Sequence, residues 1–401
     1  MPNMPNDANP FQPAPGAIPP FLAGRESEMV AIEDAIARFH EGSAPTPLIF
    51  TGLRGLGKTV LLHEVHRLAP DSVHLALEVE RDASLGVIVR EGIERVRAQL
   101  QSPARKAAAA LADAVRTLPT IGFELPGGVG SIRLEAPEEA EELAPPGSVG
   151  FAIDALNDAV ASTRKRLVIT LDELQAADVA DVRSIVAAVH RSVSGKAKIL
   201  FAAAGLPETN DLLHKLPTYV RSRWDRFNLE FLTRAESAQA LRVPLQGAGV
   251  SITPDAVDAM VEESGGYPYF LQKYGSAAWG ERKGKTIDLA GAARAIERVR
   301  PILERQTFRD ELDVLSKRER SFCYQLARLG PGAHELAAVT AGLGLKSSQA
   351  GSMRSQLIKK GVIFNPMPGM VQFRMPLTER YILKHAAEFD LPLQTPGFRL
   401  Q

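Results

Sequence analysis

The chain has 401 residues, 45% hydrophobic and 23% charged, with 47 basic against 47 acidic side chains. That length exceeds what one hydrophobic core serves, the composition is that of a soluble globular protein, and zero net charge argues against wholesale coating of nucleic acid. The single cysteine, Cys323, excludes an intramolecular disulfide and a Cys-built metal site, and no run reaches the roughly 18 apolar residues of a spanning helix, so a reducing, cytoplasmic setting without a membrane is expected.

Residues 1–20 are rich in Pro, Asn and Ala and lack a basic segment followed by an apolar one. They are expected to be a disordered lead-in rather than a signal. From Arg25, Met29, Ile32, Ile36 and Phe39 recur at helical spacing and Gly42 follows as a stop. The apolar run 47–51 predicts a buried strand, 60–68 a helix and 73–79 a second strand. Residues 85–100 and 105–118 read as helices. The segments 121–125 and 131–135 flank the turn 127–130 as a small hairpin, and an acidic run, 138–142, precedes Pro145 and Pro146. Most of this stretch, about 84–148, is expected to be an insertion. Core-like sequence resumes with a helix over 151–162, a strand over 167–172, a helix over 179–192 and a strand over 198–204. Strands alternating with helices predict an α/β fold with a mostly parallel sheet covered on both faces.

After Phe231 the strands stop. Helices are predicted over 234–241, 254–264, 269–282 and 289–303, an all-helical domain in which Pro254 suits a first helical turn. The last hundred residues predict three short helices, 317–329, 334–341 and 348–360, then two strands, 362–364 and 371–373, around a turn at 366–369. That order is a winged helix-turn-helix. The expected boundaries are a core over 21–232, a lid over 233–303, a winged module over 304–390 and a tail over 391–401.

One motif carries the chemistry. Gly52-Leu53-Arg54-Gly55-Leu56-Gly57-Lys58-Thr59 matches G-x-x-x-x-G-K-[ST], set between a strand and a helix. Glycines let backbone N–H groups curl around a phosphate, and the helix that opens at Lys58, Thr59 and Val60 aims its positive end at the same charge. Lys58 would reach the β- and γ-phosphates and Thr59 would ligate Mg²⁺, so ATP or ADP with Mg²⁺ is the expected cofactor. Asp172, ending an apolar strand about 110 residues later, would hold Mg²⁺ through water, and Glu173 would act as general base on the attacking water.

These parts resemble the AAA+ superfamily, and within it the origin-recognition-like archaeal ATPases and the STAND signalling ATPases. The resemblance also rests on Phe21-Leu-Ala-Gly24-Arg25-Glu26-Ser-Glu28, similar to the entry motif that in those families packs beside the adenine, which makes Arg25 a candidate nucleotide contact; the other reading is a helix cap with charged first-turn residues. A third match is Ser264-Gly265-Gly266-Tyr267-Pro268-Tyr269-Phe270-Leu271-Gln272. There the resemblance gives Pro268 a nucleotide contact in place of an arginine sensor; the other reading is a plain helix break and restart. It also makes Arg221, Arg223 or Arg226 a candidate for reaching a neighbouring subunit's γ-phosphate, against the alternative of surface ion pairs with Asp225. The strand over 198–204 departs from the pattern, ending Ala202-Ala203-Ala204-Gly205 with no Asn, Ser or Thr; Thr209 and Asn210 are the nearby substitutes. Missing sensors imply a slow switch rather than a motor.

In the winged module the helix over 348–360 is the candidate recognition helix, with Gln349, Arg354, Lys359 and Lys360 as DNA-contacting residues. Residues 301–401 hold 14 Lys/Arg against 9 Asp/Glu, an excess of 5. Double-stranded DNA is the expected partner; a protein partner or self-association is the alternative. His63 and His66 show no metal-ligand spacing.

Overall fold

The computed structural model describes residues 8–14, 16–79, 84–99, 148–195, 198–341, 343, 347–375 and 377–389. The expected helix over 105–118, the hairpin around 127–130, the acidic run and the tail lie outside them. The chain divides into two compact units. One comprises Arg25–Gly52 and Lys58–Asn228; the other comprises the N-terminal residues through Gly24, the loop Leu53–Gly57 and everything from Leu229.

In the first unit, α1 (Glu26–His40), β1 (Leu48–Gly52), α2 (Lys58–Leu68), β2 (Val73–Glu78) and α3 (Leu85–Gln99) are followed by α4 (Val149–Ala161), β3 (Leu167–Asp172) and α5 (Val179–Ser194). Then come β4 (Ile199–Gly205), α6 (Thr209–His214), α7 (Thr218–Arg223) and β5 (Asp225–Leu229), whose last residue passes into the second unit. The sheet order is β2-β3-β4-β1-β5, with β2–β3, β3–β4 and β1–β4 all parallel. Every residue of β1 and β4 is buried, whereas the edge strand β2 alternates buried with more exposed positions. Continuous apolar runs are what a strand covered on both faces requires.

Helix α3, within the stretch expected to be an insertion, packs on the sheet. Leu85, Ile88, Val89, Ile93 and Val96 are buried in the same cluster as Leu75, Leu77 and Ile153, and a Cβ on Gly92 would lie 2.6 Å from a Leu75 methyl. The spacing of those five residues gives the helix a stripe that buries on the sheet. Helices α4 and α5 meet closely: a Cβ on Gly150 would lie 2.5 Å from the Ser184 carbonyl oxygen, and the Gly150 N–H donates to Ser184 Oγ at 2.8 Å. Ser148 and Asp178 cap these two helices through backbone N–H groups of Phe151 and Ala180.

The second unit contains α8 (Arg234–Gly247), α9 (Pro254–Ser264), α10 (Pro268–Gly280) and α11 (Leu289–Glu304). Thr233 and Glu236 form a capping box on α8, and Pro254 opens α9 as the sequence indicated. The lid is not wholly helical: β6 (Ser251–Ile252) and β7 (Thr286–Ile287) pair in parallel. Two-residue strands carry no readable periodicity, so they leave no sign in the sequence. A π-helical turn, Arg305–Arg309, leads to α12 (Asp310–Asp313) and α13 (Lys317–Arg328), then β8 (His334–Glu335), α14 (Leu336–Ala341), α15 (Ser347–Lys359), β9 (Ile363–Phe364), β10 (Met370–Phe373) and α16 (Thr378–Lys384). The winged module has a three-stranded antiparallel sheet, β8-β10-β9, where two strands were expected. Residues 334–335 form a strand before the helix because they pair with Val371 and Met370.

Helix α16 docks on the lid through Arg380–Glu263 at 3.0 Å and Lys384–Glu304 at 2.6 Å. Beside these pairs Tyr381 stacks on Phe308, ring centroids 5.0 Å apart. The lead-in expected to be disordered also joins this unit. Phe11 is buried in a hollow over α10, where a Cβ on Gly275 would lie 2.4 Å from its ring. Asn9 Nδ2 donates to Ser276 Oγ at 2.9 Å, and the Gln12 N–H donates to Gln272 Oε1 at 3.0 Å. One aromatic anchor and two polar clips order a Pro-rich strap that composition alone assigns to disorder. Among the described residues no helix is long and apolar enough to cross a membrane.

Candidate functional site

The glycine loop runs from the buried end of β1 to Lys58 at the start of α2. Gly55 and Gly57 adopt φ of +73° and +95°, a backbone that side-chain-bearing residues avoid. A Cβ on Gly57 would meet nothing within 4 Å, so backbone conformation alone demands glycine there. A Cβ on Gly55 would also lie 2.0 Å from the Tyr267 hydroxyl oxygen. Leu53 and Leu56 are buried, which anchors the loop, while Arg54 is exposed. Lys58 is only 6% exposed; its ammonium is a compact point charge of the kind that pairs with a phosphate.

Thr59 and Asp172 meet directly. Thr59 Oγ1 donates to Asp172 Oδ2 at 2.6 Å, and the Glu173 N–H donates to Asp172 Oδ1 at 2.8 Å. The register β2–β3 sets Asp172 opposite Glu78 at the carboxyl end of its strand, where parallel α/β sheets place their ligands. A hydroxyl and a carboxylate within hydrogen-bond distance are hard oxygen donors and fit Mg²⁺, which takes one or two protein ligands plus phosphate oxygens. Glu173 has φ 56° and ψ 39°, left-handed for a residue with a side chain. Its carboxylate accepts from the Gln175 amide, and the Gln175 carbonyl oxygen accepts from the Leu206 N–H at 2.8 Å. Sequence reasoning overlooked Gln175, because its second partner lies 31 residues away.

The remaining candidates fall as follows. Arg25 is buried at the N-terminus of α1. Pro268 is the first residue of α10, preceded by Gly265 and Gly266 at φ +57° and +77°. A Cβ on Gly266 would lie 2.3 Å from the Leu232 carbonyl oxygen, so this break is a point of close backbone approach. Tyr267, beside it, is buried, and burial raises its hydroxyl above the ordinary tyrosine range. Arg223 ends α7 and is exposed, as is Arg226. Thr209 is fully buried and its hydroxyl has no hydrogen-bond partner among the described residues, whereas Asn210 is exposed. His66, on α2, shares a 2.6 Å hydrogen bond with Thr170 Oγ1. Burial, then the neighbouring His74 and His63, lowers its pKa to about 4, so it is a neutral packing group at physiological pH.

On the winged module, Gln349 and Lys359 are exposed on α15, and Arg354 is half-buried there. Lys360, just beyond the helix, instead donates to the buried Glu319 carboxylate at 2.8 Å. The wing turn, residues 365–369, carries no cation, and Met367 in it is 58% exposed.

The phosphate loop and both carboxylates fall inside residues 22–201, a stretch that matches the family described as AAA ATPase domain. These residues are an AAA ATPase domain. Residues 305–382, covering most of the winged module, match a domain of unknown function (DUF8462). No curated protein matches the chain. Among solved structures, the Walker-type ATPase PABY2304 of Pyrococcus abyssi is 14% identical, with a TM-score of 0.52 over 90% of this chain and 96% of that one. The ORC2 protein of Aeropyrum pernix, in its ADP form, is 16% identical, with a TM-score of 0.53 over 94% and 97%. At such identities the likeness is one of fold: an AAA core, a helical region and a small C-terminal antiparallel sheet.

Proposed function

We propose that the protein is a slow ATP-hydrolysing switch whose winged module engages double-stranded DNA. The observation that carries the first half is the 2.6 Å contact between Thr59 and Asp172. It joins the end of the phosphate loop to the end of the third strand, as a Mg²⁺–nucleotide site demands. Mg²⁺, when bound, supplies neutralisation of the β- and γ-phosphate charge. Loop amides and Lys58 would hold the phosphates, and Thr59 and Asp172 would hold the cation. Glu173 accepts a proton from water as the water oxygen bonds to the γ-phosphorus. The bond from that phosphorus to the β–γ bridging oxygen breaks, and ADP leaves with the electron pair. Slowness follows from the end of β4, whose own side chains are alanine and glycine, and from Pro268 standing where an arginine sensor would.

Exposed Gln349 and Lys359 on α15 support the DNA half. A protein partner is the second reading, favoured by a wing without cations and with an exposed methionine. Duplex binding measured by fluorescence anisotropy at 50 and 200 mM salt separates the two. Several phosphate contacts should cost about 10³ in affinity across that range, and no duplex binding at 50 mM would remove the DNA half. For the core, Glu173→Gln should keep ATP binding and lose turnover; undiminished turnover would remove Glu173 as the base.

A further inference from the structure

Glu173 is held in an uncommon way. Its left-handed backbone is strained for a residue with a side chain, and the Asp172 carboxylate holds its N–H in that conformation. Next in line, the turn Leu174–Ala176 brings Gln175 back toward the Glu173 carboxylate. The Gln175 carboxamide is used at both ends: Nε2–H donates to Glu173 Oε2, and Oε1 accepts from the Leu206 N–H at 2.8 Å. One side chain therefore ties the catalytic carboxylate to the backbone immediately after β4.

The end of β4 is shaped for this bridge. Ala202, Ala203 and Ala204 are fully buried and offer no polar side-chain atom. A Cβ on Gly205 would lie 2.7 Å from Gln175 Oε1 and 2.1 Å from Thr209 Oγ1. The strand thus ends in glycine where the bridging amide needs room. A proton acceptor works best when a third group fixes its orientation, as in triads generally.

We propose that Gln175 is the positioning residue for Glu173, and that its carboxamide supplies at the end of β4 the polar group that the strand's own side chains lack. The inference rests on the reading of Glu173 as general base. Gln175 neither gains nor loses a proton; with Oε2 engaged by the amide, Oε1 is aimed to accept from the attacking water. Movement at the end of β4 reaches the carboxylate through a single side chain, so that strand can report on the γ-phosphate without a polar residue of its own.

The test uses the full chain and four variants. Gln175→Glu keeps an acceptor for the Leu206 N–H but loses the donor to Glu173; Gln175→Ala loses both. Each should lower kcat for ATP at least 10-fold while leaving the Kd of a fluorescent ATP analogue within twofold. Adding Gln175→Glu to Glu173→Gln should cause no further loss of kcat. Wild-type kcat in Gln175→Glu, with Glu173→Gln inactive, overturns the positioning role and leaves the base reading standing. Loss of nucleotide affinity in step with kcat also overturns it, because the side chain would then be shaping the pocket. Wild-type kcat in Glu173→Gln instead defeats the base reading itself.

Discussion

The phosphate loop with its carboxylates and the recognition-helix face of the winged module both read from sequence as groups of charged and polar residues. Their fates in the structure differ. In the core, Thr59, Asp172, Glu173 and Gln175 are joined by an unbroken run of hydrogen bonds. In the C-terminal unit, cations are dispersed among carboxylates: Lys360 on Glu319, Arg380 on Glu263, Lys384 on Glu304 and Arg309 on Glu388. An excess of 5 positive charges over residues 301–401 therefore overstates what is available to a phosphate backbone. Net charge counts residues, while recognition depends on which of them remain unspent.

The sharpest way to break this contrast is at Lys58. Lys58→Ala should weaken ATP binding at least 100-fold by isothermal titration with thermal stability little changed; retained affinity would mean the loop does not hold phosphate. Next comes Gly205→Ala. Its new methyl collides with Thr209 and Gln175, and overpacking of this kind costs roughly 1–3 kcal/mol, read as a lower denaturation midpoint together with lower turnover. In the winged module the two adjacent lysines should separate. Lys360→Met removes a partner from the buried Glu319 and should cost about 1–2 kcal/mol, less than a fully buried pair because the lysine is partly solvated. Lys359→Ala should leave the melting temperature alone and reduce the salt slope of duplex binding by about 1. Equal behaviour of the two would erase the distinction between spent and unspent charge.

The smallest effect concerns His66. Its folded pKa, about 4, lies below the ordinary 6.5, so the unfolded chain binds the proton more readily. The stability it contributes is complete above about pH 6.5 and declines as pH falls toward 4. His66→Asn should therefore show a shallower loss of melting temperature between pH 7 and pH 5 than the parent.

Local sequence revealed the strand–loop–helix of the phosphate site because every requirement there is met within eight residues. Asp172 and Glu173 were legible because a parallel strand buried on both faces shows as an unbroken apolar run. The Gln175 bridge was not, since its meaning depends on a backbone N–H reached only through the sheet order. The role of Lys360 was hidden for the same reason: its partner, Glu319, lies 41 residues upstream. The packing of helix α3 on the sheet is not legible either, because an apolar stripe looks alike whether it faces a sheet or a neighbour of its own.

Phe11 in its hollow over Gly275 has a practical consequence. A version of the protein trimmed to begin at the helix of Glu26, the natural place to cut by sequence, would strip the plug from α10 and bare an aromatic-sized apolar notch. Such a trimmed protein should be less soluble and more prone to associate than one retaining residues 9–12, with its ATP site untouched.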